Sequence, residues 1–131
     1  MAQFEELEVW KRSARLSVQL YKALAELRDF GFRDQLTRAG SSVASNIAEG
    51  YGRLSPKDTL NFLSYAKGSA GEARTQIFIG MEIGYIEKKQ GRAWLQEVSE
   101  ISRMLHGLIH ARKAGRCWLA LHLEPCSLNL S

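Results

Sequence analysis

Residues 34–84 read DQLTRAGSSVASNIAEGYGRLSPKDTLNFLSYAKGSAGEARTQIFIGMEIG, and this stretch decides the fold. It divides at Gly50-Tyr51-Gly52-Arg53-Leu54 into two helices joined by a tight glycine turn. The first, Asp34 to Glu49, has Leu36, Val43 and Ile47 as its apolar line. Ala39, Gly40, Ser41, Ser42, Ala44, Ser45 and Ala48 are small enough to let a neighbouring helix come close. The second starts at Ser55-Pro56-Lys57-Asp58. Ser55 caps the free amides of the first turn, and Pro56 at the first helical position gives up no hydrogen bond. Asp58 completes the cap and meets the positive helix end. Carried to about Gly84, this helix is ~43 Å long at 1.5 Å per residue.

Two features of the pair bear on function. Asn46 and Glu49 lie one turn apart beside the apolar line. A buried polar group without a partner costs about 1–3 kcal/mol, so Asn46, Glu49 and Glu72 are expected to form a structural polar network. Arg38 is a candidate partner for Glu49 or Glu72. The second helix has its core line at Phe62, Ala66, Ser69, Ala70, Ala73, Ile77 and Met81, and its first turns add Leu60, Leu63 and Tyr65. A helix apolar on most sides is buried on most sides. Leu60, Leu63 and Tyr65 are therefore expected at a subunit interface.

Outward from this pair, Glu5 to Leu27 predicts another helix. Leu7, Trp10, Ala14, Ser17, Tyr21 and Leu24 recur at three- and four-residue steps and predict its core seam. Val9, Leu16, Leu20, Ala23 and Leu27 form a second stripe beside it. That stripe fits either a broad core face or a contact with another subunit. Gly31 is expected to end this helix, with Asp34 opening the next. On the other side Tyr85-Ile86-Glu87 is too short a link for anything but an antiparallel return. A last helix follows from Lys88 to Lys113. The fold class is thus all-α, an antiparallel up-down-up-down four-helix bundle over 1–113 with a tail over 114–131.

The 131 residues suffice for one core, and 45% are hydrophobic. The net charge is +4. Arg33–Arg74 holds six basic against four acidic residues, and Lys88–Lys113 six against two. This excess fits a weak polyanion-binding surface or an ordinary solvated bundle face. Cys117 and Cys126 fall in the tail without metal-ligand spacing, which fits a reducing compartment. The acidic opening is no secretory signal, and no apolar run approaches the ~20 residues of a membrane span. A cytoplasmic location without membrane attachment is expected.

Gln35-Leu36-Thr37-Arg38-Ala39, followed by Ser42 to Arg53, resembles the four-helix-bundle family encoded by intervening sequences of bacterial 23S ribosomal RNA genes. Phe4 to Lys11, Ser55-Pro56-Lys57-Asp58, Phe62-Leu63, Ala66 to Glu72 and Gly84-Tyr85-Ile86 extend the likeness over about Phe4 to Lys113. The accessory variability determinant of diversity-generating retroelements belongs to the same broad group. The resemblance implies an antiparallel bundle in a ring-shaped homo-oligomer, a pentamer, and brings no enzyme activity. Its retroelement relatives look like basic assemblies that bind nucleic acid and a reverse transcriptase.

Sites for chemistry are scarce. No Glu has His three positions later, so the di-iron bundle pattern is missing. His106 and His110 share a helix face but have no evident third ligand. No phosphate-binding glycine loop or nucleophile elbow occurs. No cofactor, metal or catalytic residue is expected. For RNA or DNA, the candidates are Arg38, Arg53, Lys57, Lys67 and Arg74. Lys67 and Arg74 lie seven apart on one face, and Arg53 and Lys57 flank the glycine turn. Contacts from them would reach phosphates and give little sequence choice. The resulting expectation is a non-enzymatic oligomeric protein that binds nucleic acid through a basic surface. The alternative is a structural protein–protein interaction module with no nucleic-acid role.

Overall fold

The structure, a computed structural model, describes residues 4–115. The expectations for Cys117, Cys126 and the tail beyond Gly115 lie outside the described residues. A 3-10 turn, Phe4–Glu6, leads into α1 (Glu8–Ala23), α2 (Phe30–Tyr51), α3 (Pro56–Glu82) and α4 (Lys88–Lys113). The chain is an all-α four-helix bundle, and every regular element among the described residues is helical.

The caps explain where the helices end. Asp29, not Asp34, opens α2: its Oδ1 accepts from the Phe32 amide at 3.1 Å. Gly31 therefore lies in the first turn of α2 and ends nothing, and α1 stops early, at Ala23. Ser55 accepts from the Asp58 amide with Pro56 in the first turn, as its sequence predicts. At the other end of α3, the Tyr85 amide donates to the Gly80 carbonyl at 2.8 Å and the Gly84 amide to Met81 at 3.3 Å. This paired closure needs a left-handed residue, which Gly84 supplies at φ +88°. Lys88 to Lys113 is helical as expected.

Contacts at several levels fix the direction of each helix. On α2 and α3, Gly50 meets Thr59 and Phe62, Ser42 meets Ser69, and Phe32 meets Gly80. On α1 and α4, Arg12 reaches Glu97 and Glu100 while Gln19 reaches Trp94. Met81 seats on Gly91 of α4, and Leu20 on Gly40 of α2. Each sequential pair is antiparallel, and α1 also packs against α4, closing the bundle.

The core corrects the seam read for α1. Val9, Leu16 and Leu20 of the second stripe are buried with Leu7, Ser17 and Leu24. Trp10 and Ala14 are only half-buried, and Tyr21 is 52% exposed. Two adjacent stripes thus serve one interior, and no further subunit is needed to cover Val9, Leu16 and Leu20. Ser13 sits in that interior because its hydroxyl donates to the Val9 carbonyl at 2.7 Å. Between α2 and α3 the backbones come close at Gly50. A Cβ there would stand 3.0 Å from that of Phe62, and Thr59 donates its hydroxyl to the Gly50 carbonyl at 2.9 Å.

Candidate interaction surfaces

A simple rule sorts the side chains around the core. On α3, Ala66, Ala70 and Ala73 point inward. Ser69, just before Ala70, turns to α2, where it donates to the Ser42 hydroxyl at 3.0 Å. Residues just after a core position turn the opposite way, to α4. On α4, Glu97 precedes buried Val98 and turns to α1, so Ser99 turns to α3.

This geometry separates the five expected phosphate contacts. Arg38 is exposed and precedes buried Ala39, on the α3 side of α2. Arg53 lies at the same α2–α3 seam, its guanidinium 4.8 Å from the Phe62 ring centroid. It is also bonded to Glu49 at 2.6 Å, so its charge is partly met. Lys57 is exposed in the first turn of α3. Lys67 and Arg74 follow Ala66 and Ala73 and therefore line the α3–α4 side. Lys67 and Arg74 thus share one flank, while Arg38 and Arg53 lie on another, about 22 Å apart along the helix.

The polar network is smaller than expected and has different members. Asn46 donates to the Ser42 carbonyl at 2.8 Å and to its hydroxyl at 2.9 Å, and Ser69 completes the cluster. Glu49 is exposed and pairs with Arg53 on its own helix turn. Glu72 is exposed and takes no part. Serine, short and neutral, fits the narrow α2–α3 seam, whereas the longer carboxylates turn to water. Arg38 forms no ion pair among the described residues.

The expected interface set also changes. Leu63 is fully buried in the bundle's own core and so is not an outer-face residue. Leu60 is half-buried, and Tyr65 is 57% exposed with its ring edge-on to Phe62. Phe78, Ile79 and Ile83 are also exposed, near the end of α3 and just past it. Gly68 and Gly71 lie between, and a Cβ on either would meet nothing within 4 Å. The apolar excess of this helix signalled such a surface, but Phe78, Ile79 and Ile83 sat too far from its first turns to be singled out.

Groups with shifted protonation sit in structural pairs. Arg12 donates through Nε and Nη2 to both oxygens of Glu97, at 2.8 and 2.6 Å, and also reaches Glu100. These bonds raise the Arg12 pKa; Arg12 first, then Gln96, lowers that of Glu100. Beside them runs a shallow α1–α4 groove of about 320 Å³, whose Trp94 Nε1 already donates to Gln19 at 3.1 Å. At one end of the bundle Tyr85 donates to Asp29 Oδ2 at 2.8 Å. The Phe32 amide and Tyr85 together hold the Asp29 carboxyl below its usual range. Burial pushes the Tyr51 phenol up beside Arg112. No cluster of three His, Cys, Asp or Glu side chains among the described residues is placed to hold a metal.

A family model described as 23S rRNA-intervening sequence protein matches residues 5–107. The chain belongs to that family. Its fold is similar to that of a protein with unknown function from the S23 ribosomal protein family of Bacteroides thetaiotaomicron, with a TM-score of 0.73. It is 28% identical, and the match covers 77% of this chain and 97% of that one. No curated protein matches. In this family member no described helix is long and apolar enough to cross a membrane.

Proposed function

We propose that this chain is a non-enzymatic, self-associating helical scaffold whose copies meet through the outer face of α3. One observation carries the reading: Tyr65, Phe78 and Ile79 of α3, and Ile83 just past its end, are exposed, and a Cβ on Gly68 or Gly71 between them would meet nothing within 4 Å. Large apolar side chains left exposed along one helix mark a candidate interaction surface. Glycine in mid-helix costs about 1 kcal/mol against alanine, and here no neighbour within the chain requires it. A second helix lying across Gly68 and Gly71 would use that missing bulk. The family resemblance supports a ring of copies, with five as the expected number.

Sedimentation of the full chain tests this. A mass above one chain that falls to one chain in Tyr65→Ser/Ile79→Ser, with helix content kept, is the expected result. A wild-type monomer at micromolar concentration overturns it, and so does an unchanged mass in the variant.

A second reading, electrostatic binding of RNA or DNA, is favoured by exposed cations that form no ion pair among the described residues, Arg38 and Arg74 among them. Copies in one particle would multiply that charge. Binding through phosphates must weaken steeply with salt. Absence of binding at low salt removes this second reading and leaves the scaffold.

A further inference from the structure

α1 and α3 occupy opposite corners of the bundle. Each packs against α2 and α4. Ser13 and Leu16 of α1 line the same small gap in the core as Ala70 and Ala73 of α3. The outer faces of the two helices therefore point in opposite directions, and they differ in charge and shape. On α1, Lys11, Val18 and Lys22 recur at steps of seven and four and share the outer face, with Tyr21 beside them. All four are exposed, Val18 by 51% and Tyr21 by 52%. From Lys11 to Lys22 the chain holds no acidic residue. Of the cations in that span, only Arg12 forms an ion pair among the described residues. On α3, Glu72, Ile79 and Glu82 recur at steps of seven and three and are exposed. Lys67 and Arg74 lie round on the α4 flank, so the outer face of α3 is acidic over this length. Gly68 and Gly71 leave a hollow before it, where a Cβ would meet nothing within 4 Å.

We propose that the outer face of α1 in one copy seats on the outer face of α3 in the next. The proposal rests on the scaffold reading above and names the surface that its α3 face receives. Charge, spacing and shape select α1 over a second α3. Lys11 and Lys22 stand about 16 Å apart along the helix axis, and Glu72 and Glu82 about 15 Å, so one docked pair of helices meets both carboxylates with cations. α1 and α3 run in the same direction, so copies standing side by side pair them parallel. Lys11 then meets Glu72, Val18 meets Ile79 and Lys22 meets Glu82, while Tyr21 comes level with Ile83. The start of α1 crosses the hollow at Gly68 and Gly71, where missing side chains let a backbone approach. Two α3 faces would instead gather Glu72 and Glu82 of both copies with no cation on either face over that length. The charges choose the partner and fix its register; the apolar side chains between them lose their water. The two surfaces are different, so each copy keeps one of each for its next neighbours. Such a contact closes into a ring or runs on as a filament.

Sedimentation of full-chain variants, alone and mixed, provides the test. Val18→Ser/Tyr21→Ser removes the α1 surface and Tyr65→Ser/Ile79→Ser the α3 surface. All four positions are exposed, and helix content checks that each variant folds. Each variant alone should sediment as one chain. Their equimolar mixture should sediment as two chains and no more, because one variant keeps its α3 face and the other its α1 face. Charge reversal gives an independent readout. Lys11→Glu/Lys22→Glu should dissociate the assembly, and adding Glu72→Lys/Glu82→Lys to the same chain should restore the wild-type mass. A Val18→Ser/Tyr21→Ser variant that keeps the wild-type mass overturns the α1 seat and leaves the scaffold reading standing, with α3 meeting α3. A mixture that stays at one chain, or reversed charges that fail to restore assembly, also overturns the seat alone. A wild-type monomer overturns both the seat and the scaffold reading.

Discussion

Arg12 of α1 grips Glu97 of α4 with two donors, Nε at 2.8 Å and Nη2 at 2.6 Å. The same Nη2 also reaches Glu100. An isolated exposed ion pair contributes little, about 0–1 kcal/mol. Here the fork geometry fixes both partners, and the Arg12 side chain is only 22% exposed. Arg12→Ala should therefore lower stability by about 1–2 kcal/mol, between an exposed ion pair and a buried hydrogen bond to a charged group. Urea denaturation would show a lower midpoint with the slope unchanged. Arg12→Lys should recover only part, since an ammonium lacks the planar fork.

The same clamp sets a pH dependence. Bonds from Arg12 hold the Glu100 pKa below its ordinary 4.5. A carboxylate lowered on folding contributes stability that is present above its unfolded pKa. That contribution is lost as pH falls through the folded pKa. The melting temperature should then fall as pH drops below about 4.5. Arg12→Ala should narrow its gap from wild type over that interval, because it has already lost the pair. Asp29 follows the same sign, so Asp29→Asn should also melt less steeply with acid. A gap that stays constant from pH 7 to pH 3 would contradict this role for Glu100.

How much of this was readable in the chain depends on what the signal encodes. Ser55-Pro56 placed the start of α3 and Gly84 its end because each acts through its own backbone neighbourhood. Gly31 misled because a glycine signals a helix end only where the chain must turn left-handed, and here Asp29 captured the Phe32 amide first. Leu63 and Tyr65 were grouped because an apolar count along a helix does not say which of two adjacent stripes faces in. Ser69 bonding to Ser42 settles that question, and only the packed pair contains it. Glu49 was expected in a polar network because it lies beside the apolar line of α2, one turn from Asn46. Its length lets it reach Arg53 outside instead. The phosphate candidates were legible as charges, but their division between two flanks depends on the rotation of α3 about its axis.

Leu63 and Tyr65 now make opposite predictions. Leu63 is fully buried, so Leu63→Ala should cost about 2–5 kcal/mol, the range for large-to-small changes in a core. Tyr65 is largely exposed and touches Phe62 edge-on. Tyr65→Ala should change the stability of a single bundle by less than about 1 kcal/mol while weakening association of copies. Thermal melts and sedimentation on both variants separate the two roles. A large stability loss from Tyr65→Ala in a dilute monomer would place that ring in the core after all.

Gly91 and Gly71 should respond in opposite directions to the same substitution. A Cβ on Gly91 would stand 2.3 Å from Met81 Cγ and 2.4 Å from its sulfur. Gaining a better helix former is worth about 1 kcal/mol, but forcing Met81 aside costs about 1–3 kcal/mol. Gly91→Ala should be net destabilising, and pairing it with Met81→Ala should relieve the clash. On Gly71 the same methyl meets nothing within 4 Å. Gly71→Ala should then stabilise the lone bundle by up to about 1 kcal/mol. Where a second copy lies against α3, that methyl also thickens the contact. The expected result is a higher melting temperature at concentrations where the chain is monomeric, together with a weaker association constant. Stabilisation with association untouched would move the contact between copies off the face that carries Gly71.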